Sequence, residues 1–384
     1  MFQFVTYACY FNLTPLNPQV SRDLGLDAGE LGTLVGLGGI VSVLVQVPAG
    51  SGGDRWGRRP FFALAMLMLA ASQLARWQSY APSTLLIAQI LGGGAQGIAT
   101  VNAWASVADV TAATPHKRGQ AFGILNANLA LGLVTGYIIA GGLGSLIGWR
   151  SMSLVLVLVP LTALLALGWV GRASHASGPR PSLGEVLRSV TQPQRLTLTV
   201  MAALILAAGQ GALYLLPFAV QQRDLGAFAA ALLLVPYVVG SVIAGPFGGR
   251  VSDRFGTRPI IVATLLVGGL ATVALIWVAA LPLLLIAAFT LIGASVNGAL
   301  PLLAVRVVAI GDSAAVGVGS ILAGLRMGQS SGTFVGPAMA GLVLAHAGLN
   351  ASWLTMAAFL FASLALHELT TREASPAWSR RPAA

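Results

Sequence analysis

Charge is scarce in this chain. Of 384 residues, 21 are Lys or Arg and 11 are Asp or Glu, 8% in all, where a soluble domain carries about 25%. A surface facing water cannot be built from so few charges at this length, which excludes a soluble enzyme, a nucleic-acid binder and a disordered protein. The net charge of +10 does not reverse this, because Lys117 is the only lysine and the arginines fall in short clusters without a basic stripe interleaved with aromatics. Cysteine is scarcer still: Cys9 stands alone, so an intramolecular disulfide and a Cys-ligated metal or redox pair are excluded. The four histidines (His116, His175, His346, His367) lie near loops or helix ends and form no metal spacing, and no nucleotide-binding P-loop exists. No enzyme activity, cofactor or metal is therefore expected. What the chain does have is apolar surface, 56% of its residues. It reads as an all-α polytopic membrane protein.

Apolar runs long enough to cross about 30 Å of hydrocarbon fall at 2–19, 29–50, 60–78, 83–108, 119–144, 149–171, 196–221, 227–248, 258–279, 281–305, 316–344 and 350–369, which makes twelve expected spans. Arg and Lys sort unevenly between the loops. One side holds 16 of them, including Arg55, Arg58, Arg59, Lys117, Arg250, Arg254 and Arg258; the other side holds 4, Arg22, Arg76, Arg150 and Arg223. That asymmetry puts both termini in the cytoplasm. The first span is short, reaching about 22 Å before Pro15-Leu16-Asn17-Pro18. It lacks the basic flank and A-x-A site of a signal peptide, so the expectation is that its cytoplasmic end has been clipped. Residues 172–195 are the one long polar stretch and end in a short segment with helical apolar spacing. They divide the chain into six-helix bundles at 1–171 and 196–371, followed by a tail at 372–384.

The halves repeat a string. Gly50-Ser-Gly-Gly-Asp54-Arg55-Trp-Gly57-Arg58-Arg59-Pro60 closes the second span, and Gly249-Arg-Val-Ser-Asp253-Arg254-Phe-Gly256-Thr-Arg258-Pro259 closes the eighth, 199 residues later. A repeat of this size indicates a duplicated unit. Gly57 and Gly256 suit a tight turn with positive φ, and Asp54 and Arg58 are spaced for an ion pair if the segment is helical.

This chain resembles the major facilitator superfamily, whose loop between helices two and three carries this string with a fainter copy between eight and nine. The resemblance implies a twelve-helix fold of two pseudo-symmetric halves in the plasma membrane, a monomer, and a secondary transporter working by alternating access. It implies a gating role for Gly50, Asp54, Arg55, Gly57, Arg58, Gly249, Asp253, Arg254, Gly256 and Arg258. Asp54 would lean on the start of helix eleven near 313–317 and Asp253 on the start of helix five near 116–120. Asp109 matches the second acidic partner of the motif arginine.

All eleven acids lie in loops or within a turn of a helix end, so a midplane carboxylate, often used by proton-coupled drug antiporters of the superfamily, is missing. The lone charge well inside a span is Arg326. It either faces the central cavity, offering a planar fork to a carboxylate or phosphate, or snorkels to lipid headgroups. Among the intramembrane amides, Asn102, Asn126 and Gln210 join Arg326 as candidate substrate contacts; interhelical hydrogen bonding is the better account of any single amide, and it is as a set that they suggest a polar pocket. Helix five carries Gly132-Leu-Val-Thr-Gly136-Tyr137, with Tyr137 where antiporters of the family have proline. Gln46 stands where nitrate carriers have arginine, which argues against nitrate. The expected function is export of a small solute by antiport, with protons as the candidate coupling ion, lipid and substrate as the partners and no nucleic acid. The alternatives are a symporter or uniporter of a small organic anion using Arg326, and a membrane sensor that transports nothing.

Overall fold

Glycine or proline marks nearly every junction in a chain built of helices. The computed structural model describes residues 1–110, 118–169, 192–278, 281–310 and 318–373, and no strand occurs among them. The helices are α1 (Phe2–Tyr10), α2 (Asn17–Leu24), α3 (Ala28–Trp56), α4 (Arg58–Trp77), α5 (Pro82–Val110), α6 (Arg118–Ile147), α7 (Trp149–Leu156), α8 (Leu158–Ala166), α9 (Pro193–Gln221), α10 (Ala227–Phe255), α11 (Thr257–Val278), α12 (Pro282–Ile310) and α13 (Val318–Glu373). Most of the 172–195 linker, and the tail from 374 onward, lie outside the described residues.

Among the described residues, ten helical stretches are long and apolar enough to cross a membrane, counting α7 with α8. The longest, α13, runs 56 residues but carries a non-helical Gly348 at φ 82°, which breaks it into two arms. The first expected span, 2–19, is not one helix. It divides into α1, a 3-10 turn at Thr14–Leu16 and α2, because Pro15 and Pro18 lack the N–H that a continuous helix would need. The motif strings likewise do not lie in loops. Helix α3 continues to Trp56 and α10 to Phe255, and only Gly57 and Gly256 interrupt the chain.

Start signals are local. Asp27 accepts the Glu30 N–H at 2.8 Å while Glu30 accepts the Asp27 N–H at 2.9 Å, a reciprocal cap that opens α3. The same architecture returns in the second half. Helices α3 and α10 start at 28 and 227, α4 and α11 at 58 and 257, α5 and α12 at 82 and 282, α6 and α13 at 118 and 318. Gly148 and Gly348, both at positive φ, break the chain at matching places. Outward faces carry exposed Leu67, Leu165, Leu270 and Leu283, with Trp56, Tyr80 and Trp277 near helix ends. Such surface is stable only against lipid, with the aromatic rings at its polar boundary.

Candidate functional site

Gly57 (φ 86°) and Gly256 (φ 82°) turn the chain from α3 into α4 and from α10 into α11. The turn at Gly57 aims Arg58 back at two carboxylates. Its Nη2 lies 2.8 Å from Asp54 Oδ1 and 2.7 Å from Asp109 Oδ2 of α5, and its Nε donates to Asp109 at 2.8 Å. Arg58 and Asp109 are largely screened from solvent while the Asp54 side chain stays exposed, and a charge-assisted group of this kind ties α3, α4 and α5 to one another. The second copy differs. Thr257 occupies the place of Arg58, and Arg258 pairs with Glu368 of α13 at 2.7 Å in an exposed position. Arg55 and Arg254 lie 5.5 Å and 5.4 Å from the rings of their neighbours Trp56 and Phe255, on the outer rim rather than in the triad. Gly50 abuts Val101 of α5. The side-chain surroundings of Gly249 and Asp253, and the helix starts at 313–317 and 116–117 expected to receive Asp54 and Asp253, lie outside the described residues.

Away from the motifs the two halves close on each other. A Cβ added at Gly32 would collide with the Pro337 carbonyl, at Gly36 with Phe334, and at Gly39 with the backbone of Thr333 and Phe334. A second row pairs α6 with α10, where Gly141 meets Ala227, Phe228 and Ala231. Tyr214 of α9 donates to the Ala28 carbonyl at 2.6 Å. In lipid, where apolar burial gains little, such small-residue contacts let backbones approach closely enough for dispersion to hold them. This seal occupies the end of the molecule opposite the motifs.

Below the seal, a hydrogen-bonded ladder crosses between the halves. Gln46 of α3 donates to Ser330 of α13 at 2.8 Å and to Ser42 at 3.2 Å. Ser42 donates to Gln96 of α5 at 2.5 Å, and Gln96 to the Tyr7 hydroxyl of α1 at 3.2 Å. One turn towards the motif end, Arg326 of α13 places its guanidinium carbon 3.8 Å from the ring centroid of Trp104 in α5, and its Nη1 donates to Gln329 at 2.8 Å. Arg326 therefore points at the opposite half. Among the described residues no carboxylate lies within ion-pair distance of it.

The four candidate substrate contacts do not form one cluster, and no hydrogen bond joins any two of them among the described residues. Asn102 is fully buried against Gly53, donating to the carbonyls of Ile98 at 2.9 Å and Ala49 at 3.4 Å; it packs α5 on α3 behind the Arg58 group. Asn126 is exposed on α6. It lies opposite the outward stripe Ile124, Leu131 and Ile138 and between the α1-facing glycines (Gly132, Gly136) and the α10-facing Gly141. That register turns it to the space between the halves. Gln210 lines a separate cavity near the seal with Tyr10, Asn17, Gln89, Tyr214 and Thr333.

The sequence reading missed Trp104, Gln329 and the Ser42–Gln96 ladder. It also counted Arg76, at the outer end of the 60–78 span, with the loop charges of that side; Arg76 instead sits in the last turn of α4, fully buried. It donates to the carbonyls of Cys9 (2.8 Å) and Tyr10 (2.9 Å) and to Asn12 Oδ1 (2.7 Å). The break after α1 leaves carbonyls without helical partners, and the guanidinium takes them up where the helix dipole favours a cation.

Comparison with known proteins agrees with this architecture. The family model described as Major Facilitator Superfamily matches residues 1–304 and 228–383. The chain is 28% identical to a chloramphenicol resistance protein of Streptomyces lividans over 67% of each chain. It is 32% identical to the putative uncharacterized transporter YgaY of Escherichia coli over 46% of this chain and 44% of that one. It is 23% identical to the quinolone resistance protein NorA of Staphylococcus aureus over 35% of this chain and 37% of that one. It thus spans two thirds of the first of these relatives and less than half of the other two. In fold it is similar to a bacterial homologue of the human lysosomal transporter Spinster in an inward-facing, unoccupied conformation (TM-score 0.79, 16% identity, 97% of this chain and 95% of that one). It is also similar to the human organic anion transporter MFSD10 (TM-score 0.71, 19% identity, 95% and 97%). With helices through a membrane and a family match along nearly its whole length, the chain belongs to the Major Facilitator Superfamily and is a membrane transporter, not an enzyme.

Proposed function

We propose that this chain is a secondary transporter that exports small amphiphilic solutes across the plasma membrane by alternating access. In this reading both termini and the motif end face the cytoplasm, as the 16-to-4 distribution of basic residues supports. The conformation described is then inward-facing. The observation that carries the reading is the one-sided closure: glycine-lined contacts join the halves away from the motifs, while Arg326 and Asn126 lie on the motif side of that seal. Transport follows if the halves rock about a site near the middle, parting at the seal and closing at the motifs. The Asp54–Arg58–Asp109 group would then hold the first half rigid while Asp54 meets the helix start after residue 317. Resistance proteins among the relatives support export as the direction, with exchange against protons as the coupling proposed for it.

The test is accumulation of chloramphenicol and of a quinolone in a bacterial host stripped of its own exporters. The chain is expected to lower accumulation of at least one of them severalfold when the proton gradient is intact, and Arg58→Ala to restore it. Accumulation equal to that of cells carrying an empty vector, with the protein present in the membrane, would contradict export of these compounds. A second reading, carriage of an organic anion, is favoured by one specific observation, the guanidinium of Arg326 without a carboxylate partner among the described residues.

A further inference from the structure

We propose that Arg326 is the receptor for an anionic group on the solute, a small aromatic or amphiphilic monocarboxylate, and that Trp104 holds the guanidinium until the anion takes it. The inference rests on the transporter reading and names the substrate class of that same pathway.

A guanidinium inside a membrane protein demands compensation. At Arg326 it comes from the π face of Trp104 at 3.8 Å and from one neutral amide oxygen, Gln329. Both are weaker partners than a carboxylate, and both can be exchanged. The guanidinium has a planar fork of donors suited to two carboxylate oxygens, and Gln329 occupies only one nitrogen. The other polar groups one turn away, Ser330, Gln46, Ser42, Gln96 and Tyr7, are neutral and bonded to one another. One positive charge in a neutral polar wall selects a monoanion. It repels a cation, whose charge nothing among these residues would offset. The ring of Tyr7 offers an apolar flank for the rest of the solute.

The arrangement also links binding to motion. Trp104 belongs to α5 in the first half and Arg326 to α13 in the second, so their contact bridges the halves on the motif side of the seal. An anion that draws the guanidinium off the ring removes that bridge, and a ligand shifts a conformational equilibrium by its differential affinity for the two states.

The experiment uses the full chain in phosphatidylcholine nanodiscs, with benzoate, benzamide and benzyltrimethylammonium as probes of one shape and three charges. Thermal midpoints and tryptophan emission are followed in the parent, Arg326→Gln, Arg326→Lys and Trp104→Leu. Benzoate alone is expected to raise the midpoint and to change an emission component absent from Trp104→Leu. Its affinity should fall at least tenfold in Arg326→Gln and rise severalfold in Trp104→Leu, where the competing ring is gone. Equal stabilisation by benzamide, or benzoate affinity unchanged in Arg326→Gln, overturns the proposal. So does stabilisation that phosphatidylglycerol in the disc provides and benzoate does not, since Arg326 would then be a headgroup anchor. If Arg326→Gln does not fold, Arg326→Lys and Trp104→Leu decide: weaker benzoate binding in Trp104→Leu than in the parent contradicts competition. Failure of the transporter reading looks different, as benzoate binding with no flux of any probe across sealed vesicles.

Discussion

Arg76 and Arg326 are both arginines within helices and without a carboxylate among the described residues, and their surroundings assign them opposite tasks. Arg76 is surrounded by backbone carbonyls that cannot leave, so its three hydrogen bonds fix the end of α1. Arg76→Ala leaves those acceptors buried and unpaired, and a loss of about 3–5 kcal/mol is expected. It should be read as a large fall in thermal midpoint in detergent, only partly recovered by Arg76→Lys, whose single ammonium cannot reach all three acceptors. An unchanged midpoint would contradict the role. The sequence pattern shows Arg76 only as a charge near a helix end, where most arginines are solvated. What buries it is the break at Asn12–Pro18, a tertiary fact that no pattern within α4 contains. Arg326 was legible because a charge far from both ends of an apolar run has few places to go, whereas its partner Trp104 is an ordinary membrane aromatic until α5 and α13 are placed side by side.

Among elements, the glycines do what the sequence could suggest but not address. Forty-seven glycines point to close helix packing, yet only the fold divides them between packing within one half (Gly53 on Asn102) and packing between halves (Gly32, Gly36 and Gly39 on the Phe334–Pro337 segment). Substitutions in the two groups should differ in kind. Gly32→Leu drives a side chain into the Pro337 carbonyl and is expected to part the seal while leaving the protein folded. On a Cys9→Ser background, a cysteine replacing Gln210 should then react several times faster with a membrane-impermeant maleimide added from the seal side. Unchanged labelling, with the midpoint retained, would mean that this contact does not close the pathway. Gly53→Ala instead strikes Asn102 beside Arg58, so a lower thermal midpoint without any gain of seal-side labelling is expected. The repeated helix starts, offset by 199 or 200 residues, were foreshadowed by one repeated string. The exception is the first span, where Pro15 and Pro18 replace the continuous helix that α9 provides in the second half.

At the scale of the whole molecule, the account rests on a two-ended equilibrium: the glycine contacts close one end, and on the motif side of them the halves are bridged by the exchangeable Arg326–Trp104 contact. Fold and family were readable from the doubled Asp-Arg-x-Gly string and the apolar runs. Which end is shut was not, because closure depends on contacts between α3 and α13, and between α6 and α10, that are distant in sequence. The most direct measurement is a pair of spin-label distances in the Cys9→Ser chain in nanodiscs, one between positions 22 and 346 at the seal end and one between positions 56 and 255 at the motif end, with and without transported solute. The predicted result is a short, narrow distance at the seal and a long one at the motifs, with solute raising a second population in which the seal distance lengthens as the motif distance shortens. Two distances that never change together, under any solute that the protein carries across a vesicle membrane, would contradict alternating access in this chain.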